Sequence, residues 1–151
     1  NIWYHLGLAH YLKQNWAEAL AAFQNGYDLG GNDDNLVSTG HWIFMILSLM
    51  GEPEKAIQKL KEIHADMNII ENMSYHQLCL LYKDEISVDQ LLSANGDNPS
   101  SAAVAYGVAN YFYYNGDKNK SDELLKNIIK GSSWSAFGFI AAEVDLANEE
   151  R

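Results

Sequence analysis

Cysteine is almost missing from this 151-residue chain. Its one copy, Cys79, excludes an internal disulfide and a cysteine-built metal site, so packing alone must hold the fold. Positive charge is scarce as well: 10 Lys and Arg stand against 20 Asp and Glu, a formal charge of −10, and the one arginine is Arg151. Sequence-independent binding of nucleic acid, which needs clustered cations against phosphates, is excluded as a reading. No apolar run approaches the roughly 18–20 residues that a membrane-spanning helix requires, so no membrane insertion is expected. Only two prolines occur, and no long stretch alternates with period two, so nothing calls for a sheet.

What is present is helical periodicity. Ile2, Trp3, Leu6, Ala9 and His10, followed by Trp16, Ala19, Leu20, Phe23 and Tyr27, recur in steps of three and four. The polar break Lys13-Gln14-Asn15 between these stripes is too short for anything but a hairpin. Gly30-Gly31-Asn32 then supplies a helix stop, and Asp33-Asp34-Asn35 supplies capping chemistry for the next helix. The pattern returns as Val37–Met50, the break Gly51-Glu52-Pro53, and a second helix over Pro53–His64. Ile69–Tyr82, the break Lys83-Asp84-Glu85 and a short helix over Ser87–Ala94 make a third pair. A loop over Asn95–Ser101 follows, marked by Gly96 and Pro99. Ser101–Tyr114 and Asn119–Lys130 flank Asn115-Gly116-Asp117 in the fourth pair, with Tyr111-Phe112-Tyr113-Tyr114 read as helix despite its β-propensity. Ser132–Asn148 reads as a final helix with a polar end at Glu149 and Glu150.

Breaks at Asn15, Gly51, Asp84 and Gly116 fall about 36, 33 and 32 residues apart, close to the ~34-residue period of a helix-turn-helix array. The expected architecture is all-α, an α-α superhelix in one domain over 1–151. Hairpins are expected at about 1–30, 35–65, 69–94 and 101–130, with a capping helix over 132–148. Small residues at close helix crossings would be Gly7, Ala19, Ala56, Ala109 and Gly138, and the bulky core would include Trp3, Trp16, Phe23, Leu60, Phe112 and Trp134.

The first hairpin carries Trp3, Leu6-Gly7, Tyr11, Trp16, Ala19, Phe23 and Tyr27 in the order of the tetratricopeptide repeat, with Gly26 in place of the usual alanine. Trp134, Phe137-Gly138 and Ala141-Ala142 repeat its opening signature. The chain resembles that family, and more narrowly resembles the carboxy-terminal part of an uncharacterised group of bacterial proteins carrying such repeats. The resemblance implies a piece of a longer bacterial chain, soluble in the cytoplasm or exported, with any targeting signal upstream. It also implies a concave groove lined by the first helix of each hairpin. Carried over by position, that groove holds Tyr4, Leu8, Tyr11 and Leu12, then His41, Met45, Ser48 and Leu49, then Ser74, Leu78 and Leu81, and finally Tyr106, Asn110, Tyr113 and Tyr114. Chaperone-binding members clamp a terminal carboxylate with groove lysines, arginine and asparagines. Tyr4, Leu8, His41 and Met45 occupy the corresponding places, so the clamp does not carry over.

No catalytic residue is assigned. His5 and His10 diverge on their helix, while His41, His64 and His76 lie in different hairpins, so no metal ligand set and no cofactor are expected. His76 and Cys79 stand three apart on a helix, but Leu78, Leu80 and Leu81 around Cys79 point to an inert buried thiol. Acidic residues at turns and helix starts read as solvated or as charges favourable at helix N-termini. The functional expectation is a non-enzymatic module that binds a protein or peptide segment in a tyrosine-rich groove. The alternatives are a structural spacer, self-association into a homo-oligomer, or an accessory domain of an enzyme encoded upstream.

Overall fold

The structure is a computed structural model that describes residues 2–95 and 101–148. The expected loop around Gly96 and Pro99 and the polar end at Glu149 and Glu150 lie outside the described residues. Among those residues the chain is all-α and forms nine helices. They are α1 (Ile2–Leu12), α2 (Trp16–Leu29), α3 (Asp33–Leu49), α4 (Pro53–Lys59), α5 (Met73–Tyr82), α6 (Val88–Asn95), α7 (Ser101–Tyr114), α8 (Lys118–Lys130) and α9 (Phe137–Ala147). None is long and apolar enough to cross a membrane.

Each predicted break contains one residue with positive φ: Gln14, Gly51, Asp84 and Gly116. The hydrogen bonding around them is the same. The N–H of the positive-φ residue donates to the carbonyl three residues back, as Gly51 does to Ser48, and the following N–H donates to the carbonyl five back, as Glu52 does to Leu47. Asn15 to His10, Glu85 to Leu80 and Asp117 to Phe112 repeat that second bond. This left-handed stop satisfies the carbonyls that a helix end leaves open. One turn geometry therefore recurs four times along the chain.

The chain divides into two compact units, Asn1–Glu85 and Ile86–Arg151, and the division falls inside the third expected hairpin. In the first unit α1 packs on α2, α2 on α3, and α3 on both α4 and α5. Its core holds Phe23, Trp42, Ile43, Met45, Ile46, Leu60, Ile63, Leu78 and Leu81. In the second unit α7 packs against α6, α8 and α9. Val104, Tyr106, Val108, Leu125, Ala141 and Ala142 are buried there. Helix α6 opens with a capping box, the Ser87 N–H donating to Gln90 Oε1 and the Gln90 N–H to Ser87 Oγ.

Three expected helices are shorter than their apolar patterns. Helix α4 stops at Lys59 rather than His64: past it the N–H groups of Leu60, Lys61 and Ile63 donate to carbonyls three residues back, and the carbonyls that follow take side-chain donors. Lys83 Nζ bonds the Ile63 carbonyl, and His76 Nε2 lies 2.8 Å from the His64 carbonyl. Helix α5 begins at Met73 rather than Ile69, and ahead of it the amides of Ile70, Glu71 and Asn72 converge on the Asp34 carboxylate. Helix α9 begins at Phe137 rather than Ser132, after a stretch with three serines that favour local bonding over helix. Asn32, rather than the acidic run after it, caps α3 by accepting the Asn35 N–H at 2.8 Å.

The small residues Gly7, Ala19, Ala56, Ala109 and Gly138 are all buried, and at Gly7 and Gly138 another helix comes too close for a side chain. The bulky list divides. Phe23 and Leu60 are fully buried, Trp16 and Phe112 are half-buried, and Trp3 and Trp134 are exposed. Trp134 lies in the turn ahead of α9, so no helix face carries it inward.

Candidate functional site

Seven of the fifteen residues expected to line a groove are interior. Tyr11, His41, Met45, Tyr106 and Asn110 are buried, as are Leu78 and Leu81, so they are core positions and not lining. The reason is register: α1, α3 and α7 are apolar or uncharged on nearly every face, and their spacing does not say which stripe turns inward. Tyr4, Leu8, Leu12, Ser48, Leu49, Ser74, Tyr113 and Tyr114 are half-buried and keep part of their surface in contact with solvent.

In the first unit the half-buried Tyr4 joins a network of rings from α1, α2, α3 and α5. Trp42 is its hub. The indole Nε1 donates to the Tyr4 hydroxyl at 3.1 Å, and that hydroxyl donates to Tyr75 Oη at 3.3 Å. The Trp42 ring meets Tyr11 edge-on at 4.9 Å and His41 at 4.8 Å, and stacks on Phe23 at 5.9 Å. His41 stacks on Tyr75 and on Tyr82, its Nδ1 lies 3.2 Å from the Tyr82 hydroxyl, and Tyr82 stacks in turn on Phe44 at 4.3 Å. The buried Trp42, His41 and Tyr82 thus contact the partly exposed Tyr4, Tyr75 and Phe44 respectively.

Burial sets the electrostatics of this cluster. It pushes the hydroxyls of Tyr4, Tyr75 and Tyr82 above their ordinary value and drives His41 down to about 3. These four groups are therefore uncharged at neutral pH. They can stack, accept and donate hydrogen bonds, and exclude water, and they carry no fixed charge.

The remaining titratable side chains are dispersed. Among the described residues no three His, Cys, Asp or Glu side chains come together as a metal would require. His5 and His64 are exposed. His76 turns to the His64 carbonyl, whereas the Cys79 thiol donates to the Val37 carbonyl at 3.6 Å, so the two do not pair. Burial pushes the Cys79 thiol well up, away from thiolate chemistry.

In the second unit Tyr106 and Asn110 have structural partners. The Tyr106 hydroxyl donates to the buried Asp145 carboxylate at 2.7 Å, and Asn110 Nδ2 donates to the Tyr106 carbonyl. Tyr113 and Tyr114 meet edge-on at the end of α7, with Lys118 over the Tyr113 ring.

Sequence reasoning missed Trp42, Tyr75, Phe44 and Tyr82. The sign available was His41-Trp42 in the middle of the 17-residue α3, with Tyr75 and Tyr82 two helical turns apart on α5. Comparison with known proteins identifies no relative: no family model matches the chain, and no curated protein or solved structure matches it significantly.

Proposed function

We propose that the chain is a non-enzymatic interaction module that holds a protein or peptide segment against the aromatic face of the first unit. The observation that supports this is the partly exposed set Tyr4, Phe44 and Tyr75, held by the hydrogen-bonded Trp42 network. Rings fixed in place before binding lose little entropy on contact, and they offer stacking area with a polar edge. Leu8 and Ser48, also half-buried, extend the same helices by one turn. A tetratricopeptide-like array is the architecture that this reading adopts.

Affinity capture with the wild-type chain and with a Leu8→Glu/Ser48→Glu double variant tests it, with circular dichroism confirming the fold of both. A partner held by the wild type and lost by the folded variant supports the reading. A partner held equally by both removes this face from consideration.

A second reading, structural self-association, is favoured by α1. That helix has no Asp, Glu, Lys or Arg, yet Ile2, Trp3 and Leu6 are exposed on it. An outer face of that kind is covered in a stable assembly. Light scattering across a concentration series separates the two: a mass that rises with concentration and is fixed at the monomer by Trp3→Glu favours self-association.

A further inference from the structure

Apart from the aromatic network, the first unit carries an open apolar trough beside α2. Ala17, Leu20 and Ala21 of α2 and Leu47 of α3 form its floor, and it encloses about 670 Å³. A second hollow of about 670 Å³ shares Gln58 and Lys59 with it and continues to Tyr27, Lys61 and His64. The trough is open for two local reasons. Alanines stand at two of the three α2 floor positions, and α4 has only seven residues with which to close the side.

The axis of the trough is fixed by contacts across it. Lys59 Nζ donates to Gln24 Oε1 at 2.6 Å and sits 5.4 Å over the Tyr27 ring. The first hollow is lined by α2 residues within 17–24 with residues within 52–59, and the second by Tyr27 with residues within 58–64, so chain order along α2 and along the α4 segment runs the same way. Charge is segregated along that axis. Glu52 pairs with Lys55, and Glu62 bonds the Tyr27 hydroxyl. Glu52, Glu54 and Lys55 line the first hollow, and Lys59, Lys61 and Glu62 line the second, so the charged side chains toward Ala17 are net negative and those toward Tyr27 net positive.

We propose that this trough docks an amphipathic helix of a partner protein. The complement of the floor is an apolar stripe at i, i+3, i+4 and i+7. The stretch from Ala17 to Tyr27 spans about 15 Å at 1.5 Å per residue, which accommodates about three helical turns. The complement of the charges is a cation at the end that meets Glu54 and a carboxylate at the end that meets Lys61, which fixes the direction in which the partner lies. The proposal does not rest on the aromatic face, which is built from α1, α3 and α5, and the variants that test the two are different.

The test is selection of a displayed library of random peptides of about 14 residues, a length of three to four turns, on the whole chain. Parallel selection uses Ala21→Trp, whose indole fills the floor. Ala21 is exposed, and circular dichroism checks that the variant folds. The expected result is enrichment of peptides with the apolar stripe and opposite charges at their two ends, binding at least about tenfold more weakly to Ala21→Trp. The exchange Glu54→Lys/Lys61→Glu should invert the preferred charge order. Failure to enrich any peptide overturns the proposal, as do equal binding to Ala21→Trp and a charge preference that the exchange leaves unmoved. A dimer in solution that Ala21→Trp dissolves also overturns it, because the trough then holds a second copy.

Discussion

Asp34 and Asn72 hold each other at two points: the Asp34 carboxylate accepts the Asn72 N–H at 2.8 Å, while Asn72 Nδ2 donates to the Asp34 carbonyl at 3.3 Å. The amides of Ile70 and Glu71 join the same carboxylate at 2.9 and 2.8 Å, and Asp33 takes the Asn68 amide at 2.9 Å. The first turn of α3 thus organises the segment that leads into α5, and α5 delivers Tyr75 and Tyr82 to the aromatic network.

Asp34→Ala is expected to cost about 1–2 kcal/mol, because charge-assisted bonds are lost but water reaches part of the site and replaces some of them. Although desolvation alone would raise it, the backbone donors from Glu71, Ile70 and Asn72 hold the Asp34 carboxyl below its ordinary value. A depressed folded value means that the stabilisation is complete above the ordinary carboxylate range and is lost as pH falls through the folded value. Urea melts of wild type and Asp34→Ala should therefore converge on acidification. A gap that stays constant down to the acid limit would show that the carboxylate charge has no part in the clasp.

His41 gives a second, separable pH dependence. Its folded value of about 3 lies below the ordinary histidine value, so the unfolded chain takes up a proton at weak acid that the folded chain refuses. Stability is complete above about 6.5 and declines toward about 3, with about 2 kcal/mol lost between pH 7 and pH 5 from this group alone. His41→Gln should flatten that part of the profile. In nuclear magnetic resonance spectra of the folded protein the His41 ring signals should not move over the same interval. Titration of those signals near 6.5 would contradict the burial that sets the value.

The turns were legible in the sequence because their chemistry is local. Gly51 and Gly116 announce positive φ, and polar runs around Gln14 and Asp84 mark the other two breaks. Helix ends around 60–72 were not, because that backbone takes its partners from residues distant in sequence: Asp34, His76 and Lys83 bond a stretch that an apolar pattern assigns to helix. The groove suffered from the same blindness to context. Tyr11 and Tyr4 lie on one helix without Asp, Glu, Lys or Arg, and packing from other helices encloses Tyr11 between Trp16 and Trp42 while Tyr4 stays half-buried. The small residues were legible because a close crossing leaves few choices of side chain.

Those crossings make the glycines unequal. A Cβ on Gly138 would stand 2.6 Å from the Ala102 carbonyl carbon and 3.0 Å from the Ala103 nitrogen, which are main-chain atoms that no rotamer change can move. On Gly7 it would meet the Phe23 ring at 2.7–2.8 Å, and on Gly40 the flexible tip of Ile63 at 3.0 Å. Alanine is therefore expected to cost about 3 kcal/mol at position 138, about 1–3 at position 7 and less at position 40, where a side chain can yield. Thermal melts of the three single variants check the order. Equal losses at 138 and 40 would mean that α9 shifts away from α7 without resistance.

Trp42 and Trp134 share a chemistry and differ in surroundings. Trp42 is buried, contacts Tyr11, Phe23, His41 and Tyr75, and donates its indole N–H to Tyr4. Trp134 is 74% exposed in the turn before α9. Trp42→Ala should cost about 3–5 kcal/mol through the cavity it opens and the Tyr4 hydroxyl it deprives of a donor. Trp134→Ala should stay within about 0.5 kcal/mol, as substitutions do at surface positions without a packing role. Intrinsic fluorescence offers an independent check, since an enclosed indole emits further to the blue than a solvated one. Removal of Trp134 should shift the remaining emission to shorter wavelength, and removal of Trp42 should shift it to longer wavelength. A large stability loss from Trp134→Ala would show instead that this indole is packed against something in solution, and the reading of the turn before α9 as a free surface would fail.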